Sequence, residues 1–375
     1  LKRLVVFGPG HPFRGGIATT TTALVQALED RGHDVLFLTP RRQYPGWLFP
    51  GADDRDPSAC PITGNARSLY APLEPWTWRS ALGAARGHEA DAWIVPFWTW
   101  AWAPLWHAVL GSRSRPPVVA VVHNPVDHEA SPPRRWAARS VLRRCDALMT
   151  HGLALAAMLQ RSYRGIPVAS HLLPPSGGVT DCIAAVDRVA VRTSLGVGSD
   201  QRLALFAGLI RPYKGVDLAL RGVDALPEET RWRLHVAGEA WGGLGESLRA
   251  LHTALAHPDR VSFETAWVSD RRLAELLVAA DVVVLPYRSG SQSAMAPLAL
   301  ATGTPVLTTD VGALAEAVAD GRDGRVVQPG SWAAIAEALA AMDDDALAAL
   351  AEGARTTAMR RTWSAYAGVL LDLVP

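Results

Sequence analysis

Lysine is almost missing from this sequence. Lys2 and Lys214 are the only two, although Lys and Arg together number 37. Every other strongly basic side chain is an arginine, so a lysine kept at position 214 is expected to be needed as lysine. An excess of one charge is missing as well. The 37 basic residues stand against 36 acidic ones, leaving a formal net charge of +1, too weak a field to hold nucleic acid by charge alone. The three cysteines, Cys60, Cys145 and Cys182, are an odd set without metal-ligand spacing, which argues against a disulfide framework and fits a reducing compartment. No run of about 20 apolar residues escapes interruption by charges, glycine or proline, so no transmembrane helix is expected. Residues 1–7 lead straight into a strand-like segment without the apolar region and cleavage site of a signal peptide. A cytoplasmic location, at most at the inner face of a membrane, is the expectation.

What is present is an ordinary globular balance, 49% hydrophobic and 19% charged residues, in a chain longer than a single core usually serves. Short runs rich in Val and Leu recur at 4–7, 35–38, 93–95, 118–122 and 147–150, with helix-length segments such as 18–31 between them. The pattern restarts at 203–206, 234–236, 261–263, 282–285 and 306–308, again with helical segments between, notably 270–280 and 332–342. Strands alternating with helices predict α/β domains with parallel sheets. Two Rossmann-like domains are therefore expected, 1–185 and 186–355. The final stretch, 356–375, is expected to be a helix that crosses back to the first domain.

Each half opens with a glycine-bearing turn after a strand: Gly8, Gly10, Gly15 and Gly16 in the first, Gly208 and Gly215 in the second. Glycine lets backbone approach a ligand, and a following helix N-terminus offers free N–H groups to anions. A purely structural turn is the plain alternative. The first turn lacks G-x-G-x-x-G spacing and the second lacks the P-loop ending, which disfavours hydride transfer and ATP hydrolysis. The second turn, Phe206-Ala-Gly-Leu-Ile-Arg-Pro-Tyr-Lys-Gly-Val-Asp217, sets Arg211 and Lys214 three apart between strand and helix. A guanidinium binds phosphate oxygens in bidentate fashion and an ammonium adds a mobile point charge, a division of labour suited to a diphosphate.

This segment resembles the R-x-x-K-G phosphate clamp of the family 4, or group 1, retaining glycosyltransferases. Other segments match in order: Gly15-Gly16-Ile17-Ala18, His123-Asn124 with His128-Glu129, and Thr308-Thr-Asp-Val-Gly312 followed by Glu316. Arg42-Gln-Tyr-Pro45 with Leu48-Phe-Pro-Gly51 is similar to one subgroup. The resemblance implies the GT-B architecture, two Rossmann-like domains facing a cleft. The nucleoside diphosphate sugar would lie mainly on the second domain, and a glycan or lipid-linked acceptor mainly on the first. It implies no metal and no cofactor beyond the donor, with UDP or GDP as the nucleotide. Arg211 and Lys214 would neutralise the leaving diphosphate, and Gly15 and Gly16 would close over it with Gly208. His123, at the carboxyl end of a strand, would face the transferred sugar or the acceptor hydroxyl, with Asn124, His128 and Glu129 on the acceptor side. A buried histidine satisfied by backbone is the other reading of His123.

One departure from the family pattern stands out. Many members carry two glutamates before the Gly-x-Pro-Val segment; here Gly290 and Leu298 occupy those places ahead of Gly303-Thr-Pro-Val306. In the replacement segment, Ser289-Gly-Ser-Gln-Ser-Ala-Met295, Gln292 and Ser293 offer uncharged partners for sugar hydroxyls. A helix N-cap accounts for the serines equally well. Glu239 and Glu264 end strands of the second domain and either could approach ribose. Trp267 and Val268 match the region where relatives place the base, without indicating which base.

Residues 93–110 hold Trp93, Trp98, Trp100, Trp102 and Trp106, followed by Arg134, Arg135, Arg139, Arg143 and Arg144 around Trp136. Aromatic rings suit a bilayer interface and arginines suit anionic headgroups, so a peripheral membrane contact is one reading. A tryptophan-rich core beside a solvated arginine face is the other. The leading function is hexosyl transfer; a GT-B epimerase and a catalytically silent nucleotide-sugar-binding subunit are the alternatives.

Overall fold

The computed structural model describes residues 1–43, 54–56, 64–125, 131–240 and 243–375. They divide into two units, Leu1–Leu173 with Trp363–Pro375, and Pro174–Thr362.

The first unit is built on β1 (Arg3–Phe7), β2 (Asp34–Pro40), β3 (Ala66–Tyr70), β4 (Ala92–Phe97), β5 (Val118–Val122), β6 (Ala147–Thr150) and β7 (Val168–Ser170). They form one sheet in the order β3-β2-β1-β4-β5-β6-β7, every pairing parallel. The two-residue period of a strand sorts its side chains to opposite faces. In β1, Leu4 and Val6 enter a core with Leu24, Leu28 and Leu370, whereas Val5 and Phe7 enter another with Trp93, Trp102 and Trp106. Covering both faces requires strands that are apolar throughout, and the Val-Val-Ala-Val-Val run of β5 is buried at every position.

The tryptophan-rich segment divides accordingly. Trp93, Trp102 and Trp106 are at most 1% exposed and meet Phe7 and one another at tilted or edge-on angles, with centroids 5.6 Å apart for Phe7–Trp93 and 5.7 Å for Trp102–Trp106. These three are core, not interface anchors, because β4 lies inside the sheet and the helix Ala103–Leu110 covers it. No helix among the described residues is long and apolar enough to cross a membrane.

The second unit has β8 (Arg202–Ala207), β9 (Trp232–Ala237), β10 (Val261–Glu264), β11 (Val282–Leu285), β12 (Val306–Thr309) and β13 (Gly324–Val327). Their order is β10-β9-β8-β11-β12-β13, again parallel throughout. The break between units falls at Leu173/Pro174, ahead of the 185/186 division expected from the sequence. The short helix Gly177–Thr180 packs on the helix Asp270–Ala279, and Val179 joins the second unit's core.

The C-terminal stretch is two helices, Asp344–Ala358 in the second unit and Trp363–Leu371 in the first. The latter lies against the helix Gly16–Asp30, burying Tyr366, Ala367 and Leu370. Lys2 Nζ donates to the carbonyls of Val374 at 2.7 Å and Pro375 at 2.8 Å, which gives the first of the two lysines a structural role.

In each sheet the chain reverses its direction of winding once, beside β1 in the first and β8 in the second. Open parallel sheets bind ligands outside the carboxyl ends of their strands at such points. Trp106→Ala is expected to lower the stability of the first unit by about 3–5 kcal/mol, the usual result of emptying a large aromatic site. Urea unfolding followed by circular dichroism checks this, and an unchanged midpoint would contradict the core assignment.

Candidate functional site

At the reversal point of the second sheet, β8 runs out through Gly208 to Arg211, and Pro212–Lys214 form a single 3-10 turn. Gly215 then adopts left-handed geometry, φ 67°, and starts the helix Val216–Asp224. A Cβ at Gly215 would stand 2.1 Å from the carbonyl oxygen of Pro286, so only glycine lets this turn rest on the end of β11. Arg288 fastens the turn from the other side. Its backbone N–H donates to Tyr213 O at 2.7 Å, its Nη1 donates to Pro212 O at 3.1 Å, and its guanidinium forks onto Asp217 at 2.8 and 2.6 Å. Partial burial would raise the Asp217 pKa, but the Arg288 fork outweighs it and holds the carboxyl below its ordinary range.

The turn delivers Lys214 into a confined place. Its Nζ lies 5.6 Å from the ring centroid of Tyr287, a cation–π arrangement, and 3.5 Å from where a side chain at Gly208 would begin. Tyr287 is 2% exposed. Its ring meets Tyr213 edge-on at 5.9 Å, its hydroxyl pairs with Ser293 Oγ at 3.2 Å, and its carbonyl accepts from Thr309 Oγ1 at 2.6 Å. Burial pushes its phenol up to about 12. Among the described residues no carboxylate and no hydrogen-bond acceptor reaches the Lys214 ammonium. Desolvation, with the Arg211 charge as a smaller contribution, lowers its pKa against the opposing effect of Tyr213. Arg211, half-buried, precedes it on the same turn.

The neighbouring loop is drawn in by a backbone contact. A Cβ at Gly238 would fall 2.1 Å from Gly208 O, and Ile210 N donates to Glu239 O at 2.9 Å. Glu239 is thereby held beside the basic turn, half-buried, with no partner for its carboxylate among the described residues. Glu264 is different: Arg272 forks onto it at 3.1 Å with both Nε and Nη2, and His235 Nε2 stands 3.7 Å away. The structure thus separates the two candidate acids. Ser293 Oγ accepts from Met295 N at 3.2 Å, so it serves the start of the helix Met295–Ala301 as well as Tyr287. Gln292 is half-buried on the same loop. Leu298, at one missing-glutamate position, is 5% exposed and part of the core. Trp267 and Val268 are half-buried beyond β10, Val268 packing on the core.

In the first unit, Gly15 caps the helix Gly16–Asp30 without a side-chain hydrogen bond. Among the described residues a Cβ at Gly15 or Gly16 would meet nothing within 4 Å, and a helix N-terminus left without a side-chain cap is the arrangement that takes an anion. His123, at the end of β5, is 2% exposed; its N–H donates to Phe97 O at 2.8 Å, and its Nδ1 lies 3.1 Å from Nε2 of the buried His151. Burial pulls the His123 pKa down to about 3. Asn124 follows, half-buried, with its N–H 3.4 Å from Phe97 O. His128 and Glu129 lie outside the described residues, as do residues 44–53 of the subgroup segment. Tyr287, Arg288 and His151 went unnoticed in the sequence.

Two parallel-sheet Rossmann-like units, each with its glycine turn at the reversal point, define the GT-B class of glycosyltransferase fold. The comparisons agree. Residues 201–345 match the family described as glycosyl transferases group 1, and residues 14–175 match Glycosyltransferase Family 4. A D-inositol 3-phosphate glycosyltransferase of Xylanimonas cellulosilytica is 30% identical, over 97% of this chain and 92% of that one. Among solved structures, sucrose-phosphate synthase from Thermosynechococcus elongatus superposes with TM-score 0.76 at 18% identity, over 99% of this chain and 98% of that one. Anabaena Alr3699/HepE in complex with UDP-glucose gives 0.75 at 16%, over 98% and 99%. The chain belongs to the family 4, group 1 glycosyltransferases, and it is a glycosyltransferase.

Gly215→Ala is expected to lower stability by more than about 1 kcal/mol, as β-carbons do where φ is positive, and to weaken UDP binding by displacing Lys214. Thermal denaturation and titration calorimetry with UDP check both; an unchanged midpoint and affinity would contradict the turn's role.

Proposed function

We propose that this glycosyltransferase moves a hexose from a nucleoside diphosphate sugar, UDP or GDP being the nucleotide, to a hydroxyl of a glycan or lipid-linked acceptor, with retention and without a metal ion. The observation that carries this reading is the Lys214 ammonium: desolvated, beside Arg211, and without a counter-charge among the described residues. A cation kept this way is costly unless a ligand brings the anion, and a diphosphate brings the charge that two cations three residues apart can share.

In the reaction the bond between the anomeric carbon and the diphosphate oxygen breaks, its electron pair leaving with the diphosphate. Arg211 and Lys214 stabilise that growing charge. The acceptor oxygen bonds to the anomeric carbon, and its proton passes to the departing diphosphate. Gly15 and Gly16 contribute helix N–H groups to the phosphates, Glu239 and Gln292 bind ribose or sugar hydroxyls, and Trp267 and Val268 border the base. His123 faces the sugar or acceptor, with Asn124, His128 and Glu129 on the acceptor side. UDP is favoured by the solved neighbour that carries UDP-glucose.

Two acceptor classes have observations behind them. The relative named for D-inositol 3-phosphate favours a phosphorylated cyclitol. The exposed arginines 134, 135, 139 and 143 around Trp136, itself 72% exposed, on the acid-free helix Pro132–Leu142 favour a lipid-linked acceptor at an anionic inner membrane face. A thermal-shift series with UDP, GDP and UDP-glucose is expected to raise the melting temperature of the wild type, by about 2.7 kcal/mol in stability at 100 times Kd, but not of Arg211→Ala or Lys214→Ala. Transfer from the stabilising donor to D-inositol 3-phosphate, or to lipid-linked glycan in anionic vesicles, then assigns the acceptor. Stabilisation of all three proteins alike, or of none, would contradict the donor site.

A further inference from the structure

Behind His123 the first unit buries two polar side chains, one of them on the packed face of its C-terminal helix. His151 follows β6 and is 1% exposed; Tyr366 comes from the C-terminal helix Trp363–Leu371 and is 0% exposed. The three form a line: His123 Nδ1 to His151 Nε2 at 3.1 Å, then His151 Nδ1 to the Tyr366 hydroxyl at 3.5 Å. The His151 and Tyr366 rings are stacked at 5.8 Å with an interplanar angle of 17°. His171 and Trp363 wall the tyrosine on its other sides, with centroids at 5.7 and 5.1 Å.

The hydrogens on this line have a direction. A phenol has a single O–H, and buried it needs an acceptor. The hydrogen bond of Tyr366 among the described residues is the one to His151 Nδ1. A hydroxyl that donates there makes Nδ1 of His151 the lone-pair nitrogen and Nε2 the N–H. That N–H can only donate to His123 Nδ1, which leaves the hydrogen of His123 on Nε2. The tautomer of one ring is set by what its other nitrogen meets.

We propose that His151 and Tyr366 are positioning residues that hold His123 as the neutral Nε2–H tautomer, so that it offers a hydrogen-bond donor, and not a base, to an oxygen of the transferred sugar or the acceptor. The inference rests on the reading of His123 given under the proposed function. Desolvation lowers the proton affinity of both imidazoles, with the nearby His123 and His171 adding to it at His151, which keeps the pair uncharged across the neutral range. A neutral donor placed in a dry site stabilises developing charge without reorganising.

The test labels histidine with nitrogen-15 in the full chain and reads the ring nitrogens of His123. Nδ1 is expected in the range of an unprotonated nitrogen and Nε2 in that of a protonated one; the reverse assignment would overturn the proposal. Turnover is read as UDP release from UDP-glucose. His151→Leu is expected to lower kcat about 10- to 100-fold, by analogy with loss of the outer-shell partner of a metal-bound histidine, with the donor KM within twofold. His151→Gln, whose amide can still donate to Nδ1, is expected to restore most of it. Tyr366→Phe, nearly isosteric and so spared the folding cost, is expected to shift His151 and His123 toward mixed tautomers and lower kcat by a smaller factor. If His123→Ala turns over like the wild type, the reading of His123 falls and takes the relay with it. If His123→Ala is impaired while His151→Leu and Tyr366→Phe keep the wild-type spectrum and kcat, the relay alone falls.

Discussion

A single ammonium group, half-buried and with no counter-ion among the described residues, sets the terms for the second unit. Lys214 lies over the face of Tyr287 with its pKa depressed by burial, and the surrounding structure resists the relaxation that would free it. The turn that carries it cannot lift, because Gly215 sits directly on the Pro286 carbonyl and Arg288 pins both ends of the turn through Pro212, Tyr213 and Asp217. Tyr287 cannot swing aside, because Ser293 and Thr309 hold it. Strain of this sort is kept where the surroundings over-determine it, and on the proposed function a bound diphosphate would relieve it.

The first unit is organised on the opposite principle. Its buried polar line, His123, His151 and Tyr366, carries no fixed charge, and its glycine turn offers only backbone N–H groups at Gly15 and Gly16. Fixed cations suit a leaving group that becomes more negative; neutral donors suit hydroxyls that must be held without trapping a charge. The sheets present both sets the same way, at the carboxyl ends of parallel strands. The helix Trp363–Leu371, contributed by the far end of the chain, packs on the helix Gly16–Asp30 and supplies the hydroxyl that ends the line.

The sequence was most legible where burial on both sheet faces forces uninterrupted apolar runs. β1, β5, β8 and β11 read directly, whereas the edge strands β3 (Ala-Arg-Ser-Leu-Tyr) and β7 (Val-Ala-Ser) are short and partly polar and were overlooked. The basic turn stood out because lysine is so scarce. Its clamp did not: Arg288 and Asp217 are 71 positions apart and look like any surface pair. His151 and Tyr366 are 215 apart, and only the fold brings them together. Composition alone could not tell a bilayer belt from a core, and the structure divides the tryptophans, burying Trp93, Trp102 and Trp106 while leaving Trp136 exposed. Of the two absent glutamates, the place of one is core at Leu298, and Glu239 is the carboxylate beside the basic turn.

The central claim, that burial holds the Lys214 pKa below its ordinary value until a diphosphate arrives, is tested most directly by proton linkage. Calorimetric titration of UDP into the protein, in buffers of different ionisation enthalpy and at alkaline pH below the ordinary lysine value of 10.5, measures protons exchanged on binding. The account predicts uptake, since a bound anion raises a depressed lysine pKa, and its disappearance in Lys214→Met. Binding by the wild type with no proton uptake in that range would contradict it.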